Sequence, residues 1–381
     1  MSWETVTLAD IAANIQTGPF GSQLHQSDYS EYGIPVVMPK DLIDGHISES
    51  SIARVDETHV QRLNRHKIEN GDILYSRRGD VGRCAFAGPK ETGWLCGTGC
   101  LRVTIDRNKA NSRFVFYQLR KAETVGWVVK HAVGATMLNL NTSILGSVPL
   151  EIPSLSQQNH IVEILTAYDS LIENNQRQIK LLEEAAQRLY KEWFVDLRFP
   201  GHENVPVVDG VPEGWEKKKI TDLLQIKYGK DHKALEEGEI PVYGSGGIMR
   251  KVKPVLHSGE SVLIPRKGSL NNILFVDGDF WTIDTMFYSI PQRVNIAKYC
   301  YLFLSSLDMY SFNIGAAVPS MTVSILAGIE ILLPDDKLLS VFESQASILF
   351  DRIKILKKQN EDACESRDRL LPKLMSGEIA V

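Results

Sequence analysis

The sequence predicts an α+β fold in which two mixed α/β domains are separated by two long antiparallel coiled-coil helices and related by a pseudo-two-fold internal repeat. Three observations predict it. First, "GATMLNLNTSILGSVPLEIP", beginning at Gly134, recurs 181 positions later as "GAAVPSMTVSILAGIEILLP", beginning at Gly315. Six positions are identical: Gly134/Gly315, Ala135/Ala316, Ser143/Ser324, Ile144/Ile325, Leu145/Leu326 and Pro153/Pro334. Second, each copy is preceded by short β-type runs. Third, each is followed by a long polar segment with regularly spaced apolar residues. An internal repeat fixes what the structural units are before any finer fold argument is made.

The flanks repeat as well. Trp3-Glu4 followed by Asp10-Ile11 recurs as Trp215-Glu216 followed by Asp222-Leu223, an offset of 212, and "GDILYSRRG" (Gly71 to Gly79) recurs loosely as "GESVLIPRKG" (Gly259 to Gly268). The offset shrinks along the chain, so the second copy is the shorter. The boundaries that follow are a first domain over 1–155, a central helix over 156–200, a second domain over 201–335 and a C-terminal helix over 336–381.

Within the domains, "GIPVVMP", "GDILYS" and "CLRVTI" read as strands in the first copy, and "EIPVYG", "SVLIP", "NILFV" and "MFYSI" in the second. Each is β-branched or alternating and bounded by Gly, Pro, Asp or Asn. "RFVFYQLRKAETVGWVVK" and "NIAKYCYLFLSSLDMYSF" read as helical stretches just before the repeated twenty residues.

The first long helix carries Tyr168, Asn175, Leu182 and Leu189 at one heptad position and Ile172, Ile179, Ala186 and Trp193 at the other. The second carries Leu349, Leu356, Ala363 and Leu370, then Ile353, Asn360, Arg367 and Leu374. Apolar a/d spacing held over four heptads is a coiled-coil seam, and forty residues of helix from Gln157 to Asp196 span roughly 60 Å. Repeats related by a pseudo-two-fold axis place their helices antiparallel. An axis between Asn175 and Asn360 sets Ile172 against Ala363, Leu182 against Ile353, Ile179 against Leu356, Leu165 against Leu370 and Trp193 against Phe342. The two seam asparagines then face each other, and a polar seam pair fixes register at a cost in stability.

Composition bounds the function. The 381 residues, 43% hydrophobic and 23% charged, suit a soluble chain with two cores. The start "MSWETVTLAD" carries no basic-then-apolar leader, and no run reaches the roughly 18 apolar residues of a membrane span; a cytoplasmic protein without membrane contact is expected. Of the five cysteines only Cys96 and Cys100 lie close together, without a second Cys/His pair at ligand spacing, so reduced idle thiols and no metal site are expected. A net charge of −5 argues against indiscriminate coating of nucleic acid. Basic stretches nonetheless occur at matching repeat positions: six Arg/Lys against three acids from Arg62 to Arg83, and five against one from Arg250 to Lys267. Matched patches point to a shared anionic partner.

Catalytic motifs are not found: no Asn-Pro-Pro-aromatic methyltransferase motif, no nucleophile elbow and no HExxH. The glycine-rich "TGPFGSQ" and "YGSGGI" lack the Lys-Ser/Thr of a P-loop and the order of a dinucleotide fold, and read as tight turns that project a recognition loop. "LPDDK" (Leu333 to Lys337) superficially resembles nuclease carboxylates; leaving a strand and capping the next helix is the reading preferred. Two similar readers held apart by a rigid antiparallel rod match the two-fold symmetry of the duplex DNA backbone.

"TGPFGSQL", "GDILYSRRGDVGRCAF", "LNLNTSILGSVPLEIPSLSQQNHIV", "LYKEWFVDLRFPG", "GWEKKKITDLL" and the terminal "RLLPKLMSGEI" together resemble the specificity subunit of type I restriction-modification systems, over the whole chain. The resemblance implies two target-recognition domains alternating with two conserved helical regions, no catalysis in this chain, and recognition of a bipartite, asymmetric double-stranded DNA target in phage defence. It further implies two modification subunits that use S-adenosylmethionine to methylate adenine, and two restriction subunits that use ATP and Mg. A recognition subunit of a related type II system, a non-DNA-binding coiled-coil scaffold and a self-sufficient enzyme are the competing readings.

Readout of bases needs Arg, Lys, Asn or Gln at base edges, whereas phosphate contacts only position the protein. The DNA-binding candidates are Gln23, Lys40, Arg77, Arg78 and Arg83 in the first domain, and Lys230, Tyr243, Ser245, Arg266, Lys267, Ser269 and Asn271 in the second. Trp193 and Phe194 in "KEWFVDL" could seat a partner helix, but packing of the helix end against its own domain is the preferred reading.

Overall fold

The computed structural model describes residues 3–134, 137–313, 315 and 318–379; Ala135 and Ala316 of the repeat lie outside them. The chain forms two compact units, Met1–Ile172 with Glu361–Val381, and Glu173–Asn360. The long helices run over Leu155–Tyr190 and Asp336–Ser376, so the unit boundary cuts across both. Ile161 and Leu165 with Leu374 and Met375 pack into the core of the first unit, and Ala186, Tyr190, Leu339, Phe342 and Ala346 into that of the second.

In the first unit, Glu4–Thr7 pairs antiparallel with Pro149–Ile152, and an antiparallel sheet runs in the order Ala12–Thr17, Cys100–Ile105, Ile73–Ser76, Cys84–Phe86. A second sheet, in the order Leu95–Cys96, Ile34–Val37, Ala53–Val55, Tyr29–Ser30, lies in the segment where the first copy is longer. The helical stretch before the repeat consists of two helices, Ser112–Leu119 and Ala122–His131. The core gathers Leu8, Tyr75, Leu101, Phe114, Leu145 and Leu150 with Ile161 and Leu165 of the first long helix and Leu374 and Met375 of the second.

In the second unit, Glu216–Lys219 pairs antiparallel with Glu330–Leu333. A six-stranded sheet follows the order Leu224–Tyr228, Met286–Pro291, His257–Pro265, Leu274–Thr282, Glu237–Gly244, Gly247–Val252. The helix Ala297–Ser306 packs beside it. The core is aromatic: Phe194 meets Tyr299 at 4.7 Å, Phe342 at 4.9 Å and Trp215 at 5.8 Å between ring centroids.

The repeat is internal to each unit and can be followed strand by strand. Glu4–Thr7, Leu8–Ile11 and Ala12–Thr17 correspond to Glu216–Lys219, Ile220–Leu223 and Leu224–Tyr228, strand, helical turn and strand in both. Cys100–Ile105 and Met286–Pro291 are the equivalent central strands, each flanked on one side by the N-terminal strand and on the other by the "GDILYS"-type strand. Leu145 and Leu326, identical in the repeat, are fully buried in their cores. Asn141 and Thr322 cap the short helices beneath them, accepting from the Ile144 N–H at 2.8 Å and the Ile325 N–H at 3.3 Å. "LPDDK" leaves the strand Glu330–Leu333, and Asp335 Oδ1 accepts the Leu338 N–H at 2.8 Å to cap the second long helix.

Within each unit the two long helices pack antiparallel. In the second unit Asn175 donates to Gln359 at 3.5 Å, Lys357 ion-pairs with Glu183 at 3.4 Å, and Trp193 stands 5.8 Å from Phe342 between ring centroids. Partner numbers thus fall as residue numbers rise. In the first unit Arg367 Nη1 reaches Asp169 Oδ1 at 2.9 Å. Arg367, placed at a seam position by heptad spacing, is half-buried and held there by that carboxylate. Ile172, Asn175, Ile353, Leu356 and Ala363 are buried, while Ile179 and Leu182 are half-buried and Asn360 intermediate. Asn175 thus bonds Gln359, one residue away from the Asn360 that the sequence set opposite it.

Candidate nucleic-acid interface

The two basic loops are built by the same backbone hydrogen bonds. In the first unit the Arg77 N–H donates to Gly99 O at 2.9 Å, the Leu140 N–H to Arg77 O at 2.8 Å, and the Gly79 N–H to Leu138 O at 3.1 Å. In the second, the Arg266 N–H donates to Thr285 O at 2.8 Å, the Met321 N–H to Arg266 O at 2.8 Å, and the Gly268 N–H to Pro319 O at 3.0 Å. Isolated bridges Arg78 to Asn139 and Lys267 to Ser320 complete the correspondence. The repeated twenty residues therefore act as a strap that pins Arg77-Arg78-Gly79 and Arg266-Lys267-Gly268 between the central strand and itself.

The glycine that recurs at the head of the strap has a steric cause. A Cβ on Gly134 would sit 2.2 Å from Met137 O, and one on Gly315 would sit 1.9 Å from Val318 O. Both distances are far inside contact, so only glycine lets the strap fold back on itself.

Arg78 and Lys267 are exposed, and neither side chain has an ion-pair or hydrogen-bond partner among the described residues. Other members of the basic stretches are committed locally. Arg83 pairs with Asp80 at 2.6 Å, Lys253 with Glu236 at 2.6 Å, Lys251 with Glu239 at 3.5 Å and Arg62 with Asp28 at 3.6 Å. Arg250 donates to Leu235 O at 2.6 Å. Arg77 is half-buried; Arg266 donates to Asp284 O at 3.2 Å with its guanidinium 5.3 Å from the Tyr228 ring centroid.

The remaining candidates are distributed over the loops. Gln23 accepts the Phe20 N–H at 3.1 Å, folding its side chain onto its own turn. Lys40 donates to Ser51 O at 2.8 Å and lines a cleft of about 550 Å³ with Asp44, Asp80, Arg83 and Arg120. Lys230 is exposed, and its backbone carbonyl accepts from Trp281 Nε1 at 3.0 Å. Tyr243 and Ser245 stand at the hairpin closed by Gly244 and Gly247, which is the "YGSGGI" turn; Ser245 O accepts from Asn272 at 2.8 Å. Ser269 is exposed. Asn271 bonds Asp308 at 3.2 Å and the Met309 N–H at 2.7 Å, a clamp that engages both ends of its amide. Trp193 and Phe194 are buried in the second unit's aromatic core, so neither is open to seat a partner helix.

Sequence reasoning missed the strap residues Asn139 and Ser320, whose signal was the repeat itself. It also missed Met137 and Val318, which stand 62% and 55% exposed at equivalent strap positions next to the basic loops. Among the described residues no three His, Cys, Asp or Glu side chains converge as a metal site, and no helix is long and apolar enough to cross a membrane. Burial pushes the Cys84 and Cys96 thiols up to about 12, which keeps both protonated and unreactive.

Comparison with known proteins gives the same outline. A specificity subunit of the type I restriction enzyme MjaIX from Methanocaldococcus jannaschii is 28% identical, over 91% of this chain and 87% of its own. The HindI specificity subunit from Haemophilus influenzae is 23% identical over 99% of both chains. A crystal structure of a type I restriction-modification S subunit from M. genitalium, 18% identical, shares the fold with a TM-score of 0.63 over 98% of this chain and 96% of that one. The family model for the type I restriction modification DNA specificity domain matches twice, over residues 1–184 and 212–362. The chain belongs to the type I restriction-modification DNA specificity family.

Proposed function

We propose that this chain is the non-catalytic, cytoplasmic recognition subunit of a type I restriction-modification complex, reading a bipartite, asymmetric double-stranded DNA target with one unit per half. The observation that carries the reading is the pair of exposed basic loops, Arg77-Arg78-Gly79 and Arg266-Lys267-Gly268, each braced by the same strap. Two readers built on one frame but differing in their other loops suit two half-sites of different sequence. The catalytic groups reside in partners: two modification subunits holding S-adenosylmethionine, and two restriction subunits holding ATP and Mg. The long helices supply the spacer between half-sites.

Methylome sequencing of cells that express this chain with its cognate modification subunit tests the reading. Methylated adenine within a two-part motif with an unspecified spacer is the expected result. An assembled complex that leaves no such motif would overturn it.

A further inference from the structure

The proposed DNA recognition can be divided between two kinds of surface. We propose that Arg78 and Lys267 are a matched pair of sequence-independent phosphate contacts, and that base readout belongs to the segments in which the two units differ. The inference rests on the DNA-recognition reading above.

The frame argues for it first. Three backbone hydrogen bonds and one bridge hold each loop in the same place on its domain, so the two charges stand at equivalent positions. A side chain presented identically by both halves cannot by itself distinguish two half-sites of different sequence. It can meet what both halves of a duplex share, which is the sugar-phosphate backbone.

Side-chain chemistry argues the same way. Arg at one position and Lys at the other have a positive charge in common, not a planar fork, and a point charge is enough for a phosphate. Both are exposed and unpaired among the described residues, while Arg62, Arg83, Lys251 and Lys253 are held in ion pairs. A cation kept free of local carboxylates keeps its full attraction for an external anion.

The units diverge between the strand that ends at Thr17 or Tyr228 and the strand that leads into the basic loop. There the first unit inserts the sheet built on Tyr29–Ser30, Ile34–Val37 and Ala53–Val55, and the second inserts the hairpin Glu237–Val252. Different sequence readout needs different surfaces, and this is where the frame provides them.

The test uses the complex of this chain with its modification subunits, comparing wild type with Arg78→Ala, Lys267→Ala, Arg78→Lys and Lys267→Arg. Affinity for target and unrelated duplexes is measured as a function of salt, and the methylated motif is sequenced. Each alanine variant is expected to weaken target and unrelated duplexes by the same factor, to lower the slope of log affinity against log salt by about 0.9, and to leave the motif unaltered. The conservative variants recover most of the loss. A motif relaxed at one base position would make the residue a base reader and overturn the proposal, as would unchanged affinity and slope. A wild-type complex with no preference for any duplex would instead sink the recognition reading beneath it.

Discussion

The backbone N–H of Leu140 donates to the carbonyl of Arg77 at 2.8 Å, and in the second unit Met321 makes the same bond to Arg266 at the same length. The relation explains why the chain carries nearly the same twenty residues twice. What the repeat preserves is a route for the backbone that lets the strap hold a basic loop from behind. Buried positions along it stay apolar, identical at Leu145 and Leu326 and exchanged at Leu140 and Met321, while Met137 and Val318 stand exposed.

The glycines at the head of the strap give the first prediction. In Gly134→Ala or Gly315→Ala the new methyl meets a backbone carbonyl that has no flexible end to move. Each substitution is expected to destabilise its own unit by about 1–3 kcal/mol and to weaken DNA binding by loosening the loop. Thermal unfolding and duplex affinity check both effects, and an unchanged melting temperature would show that the strap relaxes without cost.

Lys298 gives the second. Its ammonium is buried between Glu260 and Glu343 at 2.5 Å each, joining the helix Ala297–Ser306 to the sheet and to the second long helix. Although burial alone would lower it, hydrogen bonds and charge from both carboxylates raise its pKa above the ordinary lysine value. Lys298→Ala leaves two carboxylates facing one another and is expected to cost about 3–5 kcal/mol. Lys298→Ala with Glu343→Gln, which removes one of those charges, should recover part of that loss in denaturant unfolding.

Much of this was legible in the sequence, and the exceptions have physical causes. Heptad spacing placed the long helices because a 3.5-residue period leaves a trace over many turns. It placed Arg367 in the seam but could not foresee that Asp169 would hold it there. Charge counting identified the basic stretches but could not separate a free cation from a paired one. Arg83 and Arg78 look alike in sequence, and only the fold brings Asp80 within 2.6 Å of Arg83. Asn271 reads as a base-edge side chain in sequence, and in the fold its amide bonds Asp308 and the Met309 N–H, 37 and 38 residues away, which no local pattern announces.

A pH dependence follows from His66. It is buried in the first unit, and its Nε2 accepts from Arg65 Nε at 3.0 Å. Burial, then the positive charges of Arg65 and Arg102, bring its pKa down to about 4, against a bond from Thr17 that works the other way. Between pH 6.5 and 4 the unfolded chain therefore binds a proton that the folded one refuses. Stability from this group is full above pH 6.5 and falls as pH drops towards 4, by up to about 3 kcal/mol. Denaturant unfolding of His66→Gln should show a flatter profile over that window, and an unchanged slope would remove His66 as its source.

The end of the first long helix supplies the last prediction. Lys191–Val195 forms a π turn, and the Lys191 ammonium reaches both oxygens of Asp196 at 2.7 Å. That turn carries Trp193 and Phe194 into the second unit's core, against Phe342, Tyr299 and Trp215. Losing a buried aromatic ring costs its transfer energy together with the cavity left behind, so Trp193→Ala and Phe194→Ala should each destabilise the second unit by about 3–5 kcal/mol. Glu192→Ala, at an exposed neighbouring position, should stay within about 0.5 kcal/mol of wild type. If the aromatic pair served chiefly to seat a partner, the order would change: Trp193→Ala would fold with near-native stability and fail only in assembly. Unfolding of the isolated chain beside pull-down of the modification subunit separates the two, and loss of stability before loss of assembly is the outcome the buried cluster requires.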